Sequence, residues 1–390
     1  MKTSNFKKAV SFFALASAFT MAGCQKEEIL EETSASPAAS GTTQAVSGKY
    51  IVIMKNGNAT NVQEQRNRLL QKLGINSERI SDVFNGASDG FTGNLSKEEV
   101  QQLKQDGDVA YVEQEQAINL EKTTATLFST TSTTTSTSGQ TIPWGVARVG
   151  YGDGTGKTVW VIDSGVQSNH PDLNVDKTRS KSFISGDLSY EDGYGHGTAV
   201  AGIIGAKNNS EGVVGVAANA SIVALRVFDN TGYGTLTRIY SALNHVYKYG
   251  KAGDVVNMSL GVAASTLLDD LVKKVAARGI FVAVAAGNSY TNCSNISPAR
   301  VVASNVYVVS NMTSLSAFNP TSNFGASVNV AAPGTDVQMT WKGSGYATGN
   351  GTSYAAPHVA GILAMTGGRV SSQGLVTADP DGKPDPIALK

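Results

Sequence analysis

Five apolar runs of strand length recur in the second half of the chain: Thr158 to Ile162, Ser221 to Val227, Asp254 to Met258, Ile280 to Ala285 and Val306 to Val309. None of them alternates cleanly between polar and apolar residues. A strand with one face in water alternates with a period of two, so runs without alternation are strands covered on both faces. The segments between them carry the covering helices, because Leu236, Ile239, Tyr240, Leu243, Val246 and Tyr247 fall at helical spacing, as do Leu267, Leu268, Leu271, Val272 and Val275. Strands alternating with helices in this way give an α/β fold, a parallel sheet with helices on both faces. The aromatic residues on those helices belong to the core.

The chain ahead of this sheet is divided by composition. Lys2, Lys7 and Lys8 precede an apolar run, Ala9 to Ala22, that is too short to span a bilayer and reads as an export signal. It ends in Met21-Ala22-Gly23-Cys24, which resembles a bacterial lipobox, so residues 1–23 are expected to leave and Cys24 to carry lipid. The following Gln25-Lys26-Glu27-Glu28 resembles tags that send some Gram-negative lipoproteins to the cell surface. The expected precursor is exported to the outer membrane or cell surface and touches the membrane through lipidated Cys24. Cys293 is the only other cysteine, so no disulfide is expected, and it reads as a partly buried free thiol.

Residues 24–47, including the Ser-, Ala-, Thr- and Pro-rich stretch Glu31 to Gln44, read as a flexible tether. Residues 48–120 form a small α+β unit of ferredoxin-like type: Tyr50 to Met54 a strand, Val62 to Leu73 a helix, Gly90 to Leu95 a strand, Ser96 to Gln105 a capped helix, and Val109 to Val112 a strand. Residues 121–140 are a linker containing ten consecutive Ser or Thr residues, and residues 141–390 hold the parallel sheet. Lys plus Arg and Asp plus Glu both total 31, a balance that argues against nucleic acid as a partner.

Chemistry concentrates at the ends of the strands. Val161-Ile-Asp163-Ser-Gly places a carboxylate at the carboxyl edge of a parallel sheet, where α/β proteins build their sites. Gly195-His196-Gly197 sets an imidazole between glycines at the start of a small-residue helix, suited to a general base. Val282-Ala-Val-Ala-Ala-Gly287-Asn288 runs a buried strand into a side-chain amide able to donate toward developing negative charge. Gly349-Asn-Gly-Thr-Ser353-Tyr-Ala-Ala-Pro357-His358 puts a hydroxyl at a helix start, where it reads either as a cap or as a nucleophile. Gly152-Asp-Gly-Thr-Gly-Lys-Thr158 imitates a phosphate loop but has Tyr151 where glycine is required, and it precedes a strand, so it is a turn. The four histidines show no zinc spacing.

Taken in the order Asp163, His196, Asn288, Ser353, these residues resemble the subtilisin-like serine peptidases, nearest the proteinase K-like branch. The resemblance spans Ile142 to Gly361 and includes His170-Pro-Asp-Leu173, Ser259-Leu-Gly261 and Gly351-Thr-Ser-Tyr-Ala-Ala-Pro-His358. It implies a serine endopeptidase in which Ser353 is nucleophile, His196 base and acid, Asp163 the orienting carboxylate and Asn288 the oxyanion donor. It further implies that Gly232, Tyr233 and Gly234 form one substrate edge, that Ser259, Leu260 and Gly261 form the other, and that Ala285, Ala286 and Gly287 line an apolar pocket. Protein or peptide substrates would then be cut with broad, apolar-leaning preference. Residues 50–118 resemble the inhibitory propeptide of these peptidases, so the unit is expected to act as an intramolecular inhibitor and to be self-cleaved between Ala117 and Thr124, freeing the mature enzyme. The chemistry requires no cofactor. A structural calcium site of the family falls in the segment Gly325-Ala-Ser-Val-Asn329-Val, where Asn329 offers only a neutral oxygen, and Ser327 lies where some relatives hold the partner of a cysteine equivalent to Cys293.

Overall fold

The computed structural model describes residues 36–38, 41–55, 62–120, 126–128 and 139–390. The export signal, Cys24 and the Ser/Thr run 129–138 lie outside the described residues. The amino-terminal unit contains β1 (Gly41–Met54), α1 (Val62–Lys72), β2 (Ile80–Phe84), β3 (Gly90–Asn94), α2 (Lys97–Gln105) and β4 (Val109–Leu120). Ser96 caps α2 and Glu99 reaches back to the Ser96 N–H, so two otherwise orphaned donors are satisfied reciprocally. Along β1 the side chains divide: Val52 and Met54 join Leu69, Leu70, Val100 and Leu103 in the unit's own core, while Ile51 and Ile53 face the larger domain.

The expected tether is a strand over part of its length. Residues 41–44 belong to β1 and pair with residues 117–120 of β4, and Ser36–Ala38 pairs back on residues 41–43. Polar composition reads as tether when no partner is in view, yet the far end of β4 supplies a ladder for these backbone groups.

After the short strand β5 (Thr126–Phe128) comes the main domain. It is built from β6 (Thr158–Asp163), β7 (Lys181–Ser182), α3 (His196–Gly205), β8 (Ser221–Arg226), β9 (Tyr233–Thr235), α4 (Leu236–Tyr249), β10 (Val255–Met258), α5 (Thr266–Ala277), β11 (Phe281–Ala285), β12 (Val306–Met312), β13 (Val328–Pro333), β14 (Val337–Trp341), β15 (Gly345–Gly349), α6 (Thr352–Thr366), β16 (Ser371–Leu375) and β17 (Pro386–Leu389). Nine strands form the central sheet in the order β16-β17-β13-β12-β11-β10-β6-β8-β7, every pairing parallel except β16 with β17.

Both faces are covered, which is why the five runs do not alternate. Trp160, Ile162, Val223, Leu225, Val256 and Val282 pack under α4 and α5, whereas Val159, Val161, Ile222, Ala224 and Ala283 pack under α3 and α6. The carboxyl-terminal turn Asp379 to Asp385 leads into β17, which extends the sheet beside β13.

The small unit rests its Ile51, Ile53 and Phe84 face on α4 and α5. Glu113 accepts from the Leu267 N–H and Ser265 hydroxyl at 2.7 Å each, and Glu115 accepts from the Thr237 N–H at 3.1 Å. Both carboxylates therefore land on helix amino termini, where orphan N–H groups and the helix dipole favour negative charge.

Candidate active site

Asp163 ends β6 at the carboxyl edge of the sheet and is fully buried. Its carboxylate accepts the Ser164 N–H at 2.7 Å and takes the His196 Nδ1–H on both oxygens, at 2.8 and 2.9 Å. His196 is the first residue of α3 and follows Gly195 at φ 117°, in the region that favours glycine. Gly197 lets α3 approach β6 so closely, since a Cβ there would stand 2.0 Å from the Gly165 carbonyl oxygen.

A second buried carboxylate, which sequence reasoning missed, holds this geometry. Asp192 accepts from the Ser164 hydroxyl, the N–H groups of Tyr194, Gly195 and Thr198, and the Thr198 hydroxyl, at 2.7 to 3.0 Å. Ser164 in turn accepts the Gly197 N–H at 3.0 Å. Burial pushes Asp192 above the usual carboxylate range despite these donors, and the nearby charge of Asp163 adds to the rise.

Ser353 is the second residue of α6, nearly buried, and Gly351 opens that helix at φ 142°. Pro357 lies four residues on and has no N–H for the Ser353 carbonyl. The Ser259 hydroxyl fills the gap, donating to that carbonyl at 2.7 Å while accepting from Asn257 Nδ2 at 2.9 Å. Ser259 thus braces the nucleophile's helix with its side chain, and its own carbonyl lies 3.5 Å from Ser353 Oγ.

Asn288 follows β11 and Gly287. Its Oδ1 accepts from both the N–H and the hydroxyl of Thr352 at 2.9 Å, and the Thr352 hydroxyl accepts the Gly287 N–H at 3.0 Å. With the oxygen held by Thr352, the planar amide directs its NH₂ away from the Thr352 donors. Thr352 is a second residue the sequence reading passed over.

The expected edge Gly232 to Gly234 pairs with the end of β4: Tyr233 opposite Asn119, Gly234 opposite Ile118, Thr235 opposite Ala117, and the Leu120 N–H donates to the Gly232 carbonyl at 2.9 Å. On its other side the same tail pairs with residues 41–44, not with Ser259, Leu260 and Gly261. Ile118 and Leu120 are 1% and 5% exposed and join the cluster holding Leu236, Ile239 and Leu260. Ala285 and Ala286 are buried at the end of β11.

Asn329 has a structural task. It is the extra residue where the β12–β13 register shifts between Val308 and Val309, and its Oδ1 accepts the Val308 N–H at 2.8 Å. Oxygen donors converge elsewhere. Gln140 Nε2 lies 2.8 Å from the Lys207 and Glu211 carbonyl oxygens, 3.2 Å from Asn209 Oδ1 and 3.4 Å from the Val213 carbonyl oxygen. One NH₂ carries two hydrogens and cannot serve four acceptors. Alongside, Asp172 accepts the Val213 N–H at 3.0 Å through Oδ2, while its buried Oδ1 has no partner. Such a set of neutral oxygens with one carboxylate fits a hard divalent cation, and turning the Gln140 amide over would add its own oxygen in exchange for the Ser210 N–H that Oε1 accepts at 3.2 Å. Among the described residues, no three His, Cys, Asp or Glu side chains gather at metal-binding spacing.

Cys293 is fully rather than partly buried, and burial pushes its thiol up to about 12, with Ser327 beside it. His358 is also buried: its Nδ1–H donates to the Tyr354 carbonyl at 2.8 Å, and burial holds its pKa down at about 4.

The model of the Subtilase family matches residues 154–372, and that of the peptidase inhibitor I9 family matches residues 49–121. The chain is 32% identical over 339 residues to alkaline serine exoprotease A of Vibrio alginolyticus, covering 82% of this chain and 60% of that protein. It is 34% identical over 367 residues to subtilisin E of Bacillus subtilis, covering 90% and 86% respectively. A crystal structure of a cold adapted subtilisin-like serine proteinase superposes with a TM-score of 0.55 at 34% identity, covering 63% of this chain and 96% of the other. Fold and comparisons together define a serine peptidase joined to an inhibitory domain. The chain belongs to the Subtilase family.

Proposed function

We propose that this protein is a self-processing serine endopeptidase with Ser353 as nucleophile. The observation that carries this reading is the buried Asp163 carboxylate gripping His196 Nδ1, with a serine at the start of α6 and a pre-turned amide in Asn288. His196 takes the Ser353 proton as Oγ bonds to the substrate carbonyl carbon, then gives that proton to the departing amine as the C–N bond breaks. Asp163 fixes the imidazole tautomer and stabilises its charged form. The Asn288 amide and the Ser353 N–H receive the oxyanion, and water releases the acyl group by the reverse proton path. Specificity is broad and leans apolar, supported by the two aliphatic side chains, Ile118 and Leu120, that the protein's own tail buries beside Gly232 to Gly234.

The inhibitory domain is removed by the peptidase itself. Residues 117–120 are held in a ladder, and residues 126–128 are held in another, so the cut falls between Leu120 and Thr126. Cys24, the lipid and the inhibitory domain leave together, and the mature enzyme is released outside the cell. Intact mass and amino-terminal sequencing of wild type beside Ser353→Ala test this: wild type is cleaved there and hydrolyses casein, whereas Ser353→Ala stays whole and inactive. Whole, inactive wild type refutes it. Globomycin-sensitive labelling of Cys24 with a lipid-free mature fragment checks the anchor.

A structural calcium ion would be held by Gln140, Asp172, Asn209 and the carbonyls of Lys207, Glu211 and Val213. Bound there, it would neutralise Asp172 and tie Gln140 to the 207–213 loop. Calcium should raise Tm of Ser353→Ala by several degrees and leave Ser353→Ala/Asp172→Asn unmoved, an equal rise in both refuting the site.

A further inference from the structure

β5 adds to the outer edge of the β14–β15 hairpin. Thr126 lies opposite Thr348, Leu127 opposite Ala347 and Phe128 opposite Tyr346, all antiparallel. The inner edge of β15 is filled by β14, from Val337 opposite Gly349 to Trp341 opposite Gly345. Only residues 350–352 separate β15 from Ser353, so the edge begins within about 14 Å of the nucleophile. Earlier in the chain, residues 117–120 pair with β9. One run of chain therefore pairs first with β9 and then with β15, and six Cα steps from Leu120 to Thr126 reach at most about 22 Å.

Resting on the peptidase reading of Ser353, we propose that the outer edge of β15 is a docking strand for the substrate polypeptide on the leaving side of the cut. In the precursor, residues 126–128 stand in for that polypeptide. Recognition there is by main chain: Leu127 is 66% exposed, so the segment presents backbone N–H and C=O groups to the edge rather than burying that side chain. Such an edge accepts almost any sequence without proline, in keeping with broad cleavage, and it favours long chains over short peptides. After processing, residues 126–128 remain on the mature enzyme, tethered through the Ser/Thr run to Gly139. They are then an intramolecular competitor for the same edge, at the high effective concentration that a short covalent connection gives.

The test uses self-processed enzyme and three peptides of the protein's own sequence: residues 113–132, residues 113–125, and residues 113–132 with N-methylated amides at Thr126, Leu127 and Phe128. N-methylation removes the donors and keeps the side chains. The full peptide should be cleaved with kcat/KM about tenfold above the other two, the effect of losing one or two net hydrogen bonds. Leu127→Pro in the enzyme should raise kcat/KM for the full peptide and leave a tetrapeptide p-nitroanilide, which has no leaving chain, unchanged. Equal cleavage of all three peptides overturns the docking edge while leaving the peptidase reading intact. Failure to cleave any peptide or casein overturns the peptidase reading instead.

Discussion

Thr352 touches no substrate in the mechanism, yet its hydroxyl should matter to catalysis through Asn288. It donates to Asn288 Oδ1 at 2.9 Å and accepts the Gly287 N–H at 3.0 Å. Thr352→Val keeps the shape, removes both bonds, and leaves the Thr352 N–H on the same oxygen at 2.9 Å. Removing an oxyanion donor altogether costs about 10²–10³ in kcat in a peptidase of this family, an upper bound for a change that only loosens one. Losing one of two bonds that orient the amide, about 1–1.5 kcal/mol, translates to roughly tenfold in kcat with KM little changed. The stranded Gly287 N–H adds about 1–3 kcal/mol of lost stability. The assay is kcat and KM on a tetrapeptide p-nitroanilide for wild type, Thr352→Val, Asn288→Ala and the double variant. If Thr352 acts through the amide, the double variant is no slower in kcat than Asn288→Ala alone. Additive losses, or a Thr352→Val enzyme as fast as wild type, refute the reasoning.

Three further outcomes follow, with stability measured in Ser353→Ala to prevent self-digestion. Burial raises Asp385 to about 7, so the folded chain holds a proton that the unfolded chain releases above 3.8, and stability is lost as pH rises between those values; Asp385→Asn should raise Tm at pH 8 and change it little at pH 4, the ceiling being about 4 kcal/mol. His358 works in the opposite direction: with its folded pKa at about 4 against 6.5 unfolded, the fold refuses a proton the unfolded chain accepts, and up to about 3 kcal/mol should be lost as pH falls from 6.5 to 4, read from urea midpoints. Deleting residues 36–44 removes the outer ladder on residues 117–120 and should speed release of the cleaved inhibitory domain about tenfold, followed as the lag before peptide hydrolysis begins.

What could be read from sequence divides along the range of the interaction. The five central strands and helices α4 and α5 were legible because their signal is local: a run covered on both faces, a helical stripe, a cap. The motif residues Asp163, His196, Asn288 and Ser353 were legible because glycine and small-residue spacing around each is also local. β13 was not, since Asn329 interrupts its register and must satisfy a backbone donor with a side chain. The oxygen cradle was not either, because three of its donors are carbonyls, which every residue has, and Gln140 reaches them from more than sixty residues away.

The same distinction explains the misread tether. Residues 41–44 have no apolar pattern of their own and become a strand because residues 117–120 offer a ladder on one side while β9 holds that ladder on the other. Each pairing makes the next cheaper, since the middle strand is already ordered when the outer one arrives. Cutting the chain beyond Leu120 leaves this arrangement covalently intact on the inhibitory side, so cleavage alone need not expose the Gly232 to Gly234 edge. Release must then wait for the whole small domain, with Glu113 and Glu115 seated on α5 and α4, to lift away. If the chain processes itself as proposed, activation is limited by dissociation rather than by chemistry.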